Sequence, residues 1–364
     1  MITGNKGEWS EAYAFLKLLA DGKLYAANKN LEKIQDIFYP IIKILREEAH
    51  GRKRSYVLNG SIDIIDDEAG LTLMQIPVAK FINQSQILYK KIKDAHGRSF
   101  GVPEVEEFLN EIDVSNLKSY TGDKSDIKIV VHDLMTDTKP LLGFSIKSML
   151  GQKATLFNPG DGTNFIFKVV GPGANSLNIK EVNSVVEPPK IASRISYLKN
   201  HSCQLEFDSI QSENLELNLK MIDSDLPKIL AYILLNKYSS EKNHPLVESL
   251  VSEIEGENPL GYKLAGGHPF YRQKIKNFLT DSALGMTPET VWEGNYSATG
   301  GIVIVKKDGD LVCYHIYNRK EFQDYLLNNT RLEQASMDRY NFGEVYEENN
   351  NKYIKLNLQV RFNN

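Results

Sequence analysis

Residues 122–148, GDKSDIKIVVHDLMTDTKPLLGFSIKS, decide how the rest of the chain is read. Two apolar runs, residues 126–131 and 141–146, flank Thr136, Asp137, Thr138, Lys139 and Pro140, a stretch with the composition of a turn. The pattern predicts a β-hairpin. Side chains alternate across a strand, so Asp126, Lys128 and Val130 share one face of the first arm. On the second arm Ser145 and Lys147 share a face, and Phe144 and Ile146 take the other. If the two polar faces coincide, a carboxylate and an ammonium meet on a sheet surface. That pairing suits metal-assisted phosphodiester hydrolysis, with the carboxylate on a divalent cation and the lysine at the attacking water or the phosphate. It is equally the content of an ordinary half-exposed hairpin. Lys147 lies among Phe144, Ile146, Met149 and Leu150, and a lysine buried in apolar surroundings needs a partner. Position 145 holds Ser where such sites usually carry an acid, so a second metal-binding carboxylate has to come from elsewhere.

Upstream, residues 8–20 read as a helix with Trp9, Ala12, Leu16 and Leu19 on one apolar stripe and Glu8, Glu11, Phe15 and Leu18 on the adjoining one. Glu8 and Glu11 then either decorate a first helical turn, where carboxylates are favoured, or bring a metal ligand to the sheet. Residues 31–48 read as a second helix with Ile34, Ile37, Phe38, Ile41 and Leu45 inward and a kink at Pro40. Residues 56–65 and 71–76 read as a hairpin, residues 78–92 as a helix, and Pro103 opens a short acidic helix.

Downstream, Gln152 and Lys153 fall just past the second arm, within reach of a phosphate bound there. Residues 163–169 are expected to form a strand beside the hairpin. Residues 171–189 are an irregular polar stretch. Helices follow at 191–199, 226–235, 244–254 and 268–279, the last with a basic side made by Arg272 and Lys276. Residues 301–305 and 311–317 read as a hairpin turning at Asp308-Gly309-Asp310. Arg331 and Arg339 lie in a polar segment. The last strand, residues 353–360, sets Ile354, Leu356, Leu358 and Val360 against Lys355, Asn357 and Gln359, as for a sheet with one wet face. Such a face is either plainly solvated or reads base edges.

The chain has 364 residues, 41% hydrophobic and 25% charged, which allows one large or two moderate globular domains. Its formal net charge of -4 excludes a uniformly basic nucleic-acid coat, so any DNA binding depends on local patches. No run reaches the ~18 apolar residues of a membrane span, and the N-terminus lacks signal-peptide form; a cytoplasmic location is expected. Cys203 and Cys313 are too few for a disulfide framework, and His201, His244, His268 and His315 lack zinc spacing. Walker A and dinucleotide-binding fingerprints are missing.

Several segments carry a family likeness: GNKGEWSE at residues 4–11, LLADGKL at 18–24, GFSIKS at 143–148, Thr163-Asn164-Phe165, and Arg331-Leu332-Glu333 with Arg339-Tyr340 and LNLQVRF at 356–362. In order and over nearly the whole length, they resemble the HpaII family of type II restriction endonucleases. The resemblance implies a Mg²⁺-dependent enzyme that cuts both strands of double-stranded DNA at a short palindrome, CCGG, after the first cytosine. It implies a homodimer at least on DNA, and a host cytosine methyltransferase protecting the same site. The implied fold is α/β: a PD-(D/E)xK core of mixed β-sheet flanked by helices, with additional α+β elements in the C-terminal half. Residues 1–175 would hold the catalytic core, and 176–364 would contribute to DNA recognition. Carried onto this chain, the proline-aspartate element falls on Ser125-Asp126 and the acid-x-lysine element on Ser145-Ile146-Lys147. Each departs from the pattern by one Ser. The resemblance makes Asp126, Lys147, Ser145 and Glu11 the catalytic set. The metal falls to Asp126 and Glu11, with Glu8 as the alternative to Glu11. Gln152, Lys153, Asn164, Arg272, Lys276, Arg331, Arg339 and Gln359 become DNA-contact candidates. Two rival readings are a DNA-binding protein without cleavage and a repair-type nuclease that prefers nicks, mismatches or ends.

Overall fold

Asn5 starts helix α1 (Lys6–Asp21): its side chain accepts from the amides of Gly7 and Glu8, and Glu8 reaches back to the Asn5 amide. Gly22, in the left-handed region, ends the helix. The buried face of α1 includes Trp9, Ala12, Phe15, Leu16 and Leu19 and packs on the sheet core. A computed structural model of the chain describes residues 2–119, 125–240 and 244–363. It divides into two units, Met1–Ala154 with Ala283–Gly285 and Tyr296–Tyr325, and Thr155–Ser282 with Met286–Asn295 and Leu326–Asn364. The first unit runs to Ala154, and the chain re-enters it at Ala283–Gly285 and Tyr296–Tyr325.

In the first unit a short pair, β1 (Thr3–Gly4) and β7 (Phe100–Gly101), stands apart from a nine-stranded sheet. The large sheet takes β2 (Lys23–Ala27), β3 (Lys33–Glu47), β4 (Lys53–Asn59), β5 (Ser61–Asp66), β6 (Leu71–Ile76), β8 (Ile127–Val131) and β9 (Leu141–Ser148) from the first part of the chain. Helices α2 (Val78–Asp94) and α3 (Pro103–Glu111) accompany it. The expected helix over residues 31–48 is the long strand β3. Its buried positions run Tyr39, Ile41, then Ile44, Arg46, a two-residue period broken by a register shift between Ile41 and Lys43. That bulge changes the phase of the alternation, so the apolar residues fall at near-helical spacing. Pro40, lacking an amide, sits where β3 passes from pairing with β2 to pairing with β8. Residues 56–65 are two strands, β4 and β5, joined at Gly60, whose φ of 74° suits a glycine.

Thr155 opens the second unit. Strands β10 (Thr155–Phe157), β11 (Asn164–Val170) and β12 (Gln204–Ile210) belong to it. β11 therefore does not lie beside the hairpin, as the sequence led us to expect; it pairs with β12 and β17 (Asn351–Asn357). The irregular stretch before Pro189 contains the short helix Ile179–Asn183. The neighbour of β9 opposite β8 is instead β13 (Gly301–Val305), parallel to it, and β14 (Leu311–Tyr314) follows. β14 pairs with β2, and β2 pairs with β3, so the strands β2–β14–β13–β9–β8–β3 close on themselves. The second unit ends with β15 (Thr330–Leu332), β16 (Val345–Glu348), β17 and β18 (Val360–Phe362). The expected final strand breaks after Asn357, and its expected wet face is inside: Asn357 and Gln359 are buried. Among the described residues no helix is long and apolar enough to cross a membrane.

Candidate active site

The hairpin forms as its alternation predicts. β8 and β9 are antiparallel with Ile127 opposite Phe144 and Lys128 opposite Gly143. Ile127, Ile129 and Val131 are buried while Lys128 and Val130 are half-buried. On β9, Phe144 and Ile146 enter the core, which leaves Ser145 and Lys147 on the other face. Ser145 is buried and Lys147 half-buried.

Asp126 stands one residue before β8. Its amide extends the ladder by donating to the Phe144 carbonyl at 2.8 Å. Its carboxylate then takes over where the strand has not yet begun: Oδ2 accepts from the Ile146 amide at 2.6 Å and from Ser145 Oγ at 3.0 Å. One acid is thus fixed against the strand that carries Lys147, and the Ser at position 145 helps to fix it. Gly143 makes the approach possible. A Cβ there would lie 2.9 Å from Ser125 Cβ and 3.2 Å from the Ser297 carbonyl. A glycine within a strand run was the sequence signal for this close approach.

Helix α1 brings the second acid. Ser10 Oγ lies 2.8 Å from Ser148 Oγ, a direct tie from α1 to the end of β9 that sequence reading missed. Glu11, the next residue, has a side chain only 15% exposed, with Lys118 Nζ at 3.4 Å from Oε1. Burial, and after it the Asp126 charge, push the Glu11 carboxyl up to about 7; Lys118 and Lys147 oppose the rise. Glu11, Asp126 and Lys147 therefore share one electrostatic neighbourhood. Lys118 is its unforeseen member, and only the fold identifies it.

Glu8 has a different job. Its carboxylate accepts from the Asn5 amide at 2.8 Å and completes a capping box. That bond ties Glu8, the expected alternative to Glu11 at a metal, to the start of α1. Of the other acids near these segments, Asp161 lies in a short 3-10 turn of the second unit, and Asp123 lies outside the described residues. Among the described residues no three His, Cys, Asp or Glu side chains group as a metal cage. The available donors are the Asp126 and Glu11 carboxylates and the Ser145 hydroxyl. All are hard oxygens, and the Asp126 charge that opposes ionisation of Glu11 is what a divalent cation offsets. Such a set fits Mg²⁺, which keeps several waters and needs few protein oxygens.

The DNA-contact candidates divide. Gln152 is exposed and Lys153 half-buried just past β9. Arg339 is exposed, its guanidinium 5.3 Å from the Tyr340 ring centre, and Lys276 is half-buried. Arg272 is held by Glu248 and Glu255, and Arg331 by Glu333. Asn164 is fully buried, donating to the Tyr340 carbonyl and accepting from Asn357, and Gln359 is 7% exposed. The last two are interior residues of the second unit, so the expectation that they face DNA is corrected: the apolar alternation that suggested a wet face continues into a packed one.

A family model described as HpaII restriction endonuclease matches residues 5–362 of the chain. The chain is 42% identical over 362 residues to the type II restriction enzyme HpaII of Haemophilus parainfluenzae, covering 99% of each protein. No solved structure matches it.

Proposed function

Because the chain belongs to the HpaII restriction endonuclease family, we propose that it cuts both strands of double-stranded DNA at CCGG, after the first cytosine, using Mg²⁺ held by Asp126 and Glu11. Membership makes it a type II restriction endonuclease, a DNA-binding nuclease of a restriction–modification system. The finer reading rests on one observation: Glu11, from helix α1, feels the charges of both Asp126 and Lys147 from the hairpin. A DNA-binding protein without cleavage would have no use for a half-buried acid set against a second carboxylate, because that placement is costly.

In this reading Ser125-Asp126 and Ser145-Ile146-Lys147 are the two halves of a PD-(D/E)xK core. When bound, Mg²⁺ supplies charge compensation for the pentacoordinate phosphorus of the transition state. Asp126, pinned by Ile146 N–H and Ser145 Oγ–H, keeps a fixed orientation towards it. Glu11 supplies the carboxylate that position 145 does not. The Lys147 ammonium donates to the attacking water or to a nonbridging phosphate oxygen and holds it in line. A homodimer on DNA matches the two-fold symmetry of a palindrome, and a cytosine methyltransferase of the host would protect the same site.

The test is to incubate the protein with a long unmethylated duplex and Mg²⁺, and with the same duplex methylated at cytosine within CCGG, and to sequence the new ends. Ends at one palindrome in the first and intact DNA in the second are expected. Random ends, or none with Mg²⁺ or Mn²⁺, overturn the reading.

A further inference from the structure

The first unit holds a cation beside the site that the nuclease reading does not use. Lys118 Nζ lies 3.4 Å from Glu11 Oε1, and Glu11 is its ionic partner among the described residues. The lysine side chain is 58% exposed and the carboxylate 15%, so the ammonium meets a mostly buried acid from the solvent side.

Its placement is built into the fold. Arg46 and Glu48, at the end of β3, form a buried ion pair, 4% and 0% exposed, with Nε 2.8 Å from Oε1. The other Glu48 oxygen accepts from the amide and the hydroxyl of Ser115, both at 2.9 Å, and Arg46 Nη2 donates to the Asn116 carbonyl at 2.8 Å. Leu117 is buried in the core of the unit, and Ser119 Oγ accepts from the Glu47 amide at 3.0 Å. Lys118 is therefore the exposed member of a segment tied down on both sides of it. The Arg46 guanidinium also lies 4.9 Å from the centre of the Phe15 ring, one turn after Glu11 on α1. One buried arginine thus touches both the helix that carries the acid and the segment that carries the lysine. A buried ion pair adds little stability over apolar side chains of the same shape; what this one sets is where residues 115–119 lie.

We propose that Lys118 is a further active-site residue with two successive partners: its ammonium holds the cation seat beside Glu11 in the metal-free protein, yields it to the divalent ion, and then pairs with a nonbridging phosphate oxygen of the DNA. The proposal rests on the reading of Glu11 as a metal ligand. The charges of Glu11 and Asp126 balance those of Lys118 and Lys147. A divalent ion adds two positive charges to that set, so the pairing of Lys118 with Glu11 loses its purpose and the backbone phosphate becomes the nearest uncompensated anion.

The sign of the first expected effect separates this role from a structural one. Wild type, Lys118→Met and Lys118→Arg are melted without DNA over a Ca²⁺ titration; the side chain is mostly exposed, so both variants fold. Lys118→Met removes the competitor, and the half-saturating Ca²⁺ concentration should fall roughly two- to fivefold, the range that an exposed ion pair supports. Lys118→Arg should stay near the wild type. Duplex affinity in Ca²⁺ is then measured against salt, and the slope of log K on log[salt] should be shallower by about 1 in Lys118→Met and unchanged in Lys118→Arg. A half-saturating Ca²⁺ concentration that stays or rises in Lys118→Met overturns the competition, and an unchanged salt slope overturns the phosphate contact. If wild type and Glu11→Gln respond to Ca²⁺ alike, the metal reading of Glu11 is what fails, and this proposal with it.

Discussion

Replacing Glu11 with Gln tests the site through both stability and rate. In the unfolded chain this carboxyl ionises near 4.5, and in the folded protein near 7, because burial first and Asp126 second oppose its charge. Between those values the folded state holds a proton that the unfolded state has lost. Stability therefore falls as pH rises through the window and stays lower above it. At ~1.4 kcal/mol per pKa unit, the full cost at pH 8.5 is on the order of 3 kcal/mol. Gln carries no charge at any pH. Urea unfolding of Glu11→Gln, compared with wild type at pH 5 and pH 8.5, should show the variant gaining about 2–3 kcal/mol between the two. Adding Ca²⁺ at pH 8.5 should restore the wild type and leave the variant unchanged. Cutting at limiting Mg²⁺ should drop by roughly a hundredfold or more, while specific DNA binding in Ca²⁺ survives. In the wild type the acid limb of the rate should have its midpoint near 7 and move to lower pH as Mg²⁺ is raised, because the ion competes with the proton. A stability difference that does not change with pH, together with near-normal cutting, would refute the argument and leave Glu11 a partly buried acid paired with Lys118.

Three further outcomes follow from the same geometry. Lys147→Ala should reduce cutting to background while the melting temperature stays within a few degrees, measured by gel assay and calorimetry, since its side chain is half-buried. Ser145→Ala should remove the 3.0 Å bond to Asp126, costing about 1 kcal/mol and a several-fold loss of rate, with the Ile146 amide still holding the carboxylate. Gly143→Ala forces a Cβ to 2.9 Å from Ser125 and should lower activity far more than chemical denaturation detects; unchanged cutting would mean that Asp126 needs no tight strand pairing.

The local elements of this chain were more legible than its topology. The hairpin announced itself because both arms are short, alternate cleanly and turn on Thr-Asp-Thr-Lys-Pro. Glu11 was a candidate because a Ser at position 145 left a carboxylate to be sought, and the amphipathic pattern of α1 is the helix observed. Strand β3 was not readable as a strand, since the bulge near Ile41 shifts an alternating pattern into a helical one. The partner of β9 was also hidden: Gly301–Val305 lies far along the chain, and parallel pairing leaves no local mark. Burial of Asn164 was hidden too, because it depends on β11 pairing with β17 and not with the hairpin.

The closed circuit of strands has a consequence for when the enzyme becomes dangerous to the cell that makes it. β9 carries Ser145 and Lys147, and one of its two flanks is supplied by residues 301–305. A ribosome that has made only the first half of the protein has already released Glu11, Asp126 and Lys147, yet the strand bearing the lysine still has a bare edge. Its circuit is completed only when β13 and β14 emerge and dock between β9 and β2. A fragment terminated before that point carries every candidate catalytic side chain on an unfinished scaffold, so aborted translation is expected to release no working DNA-cutting domain.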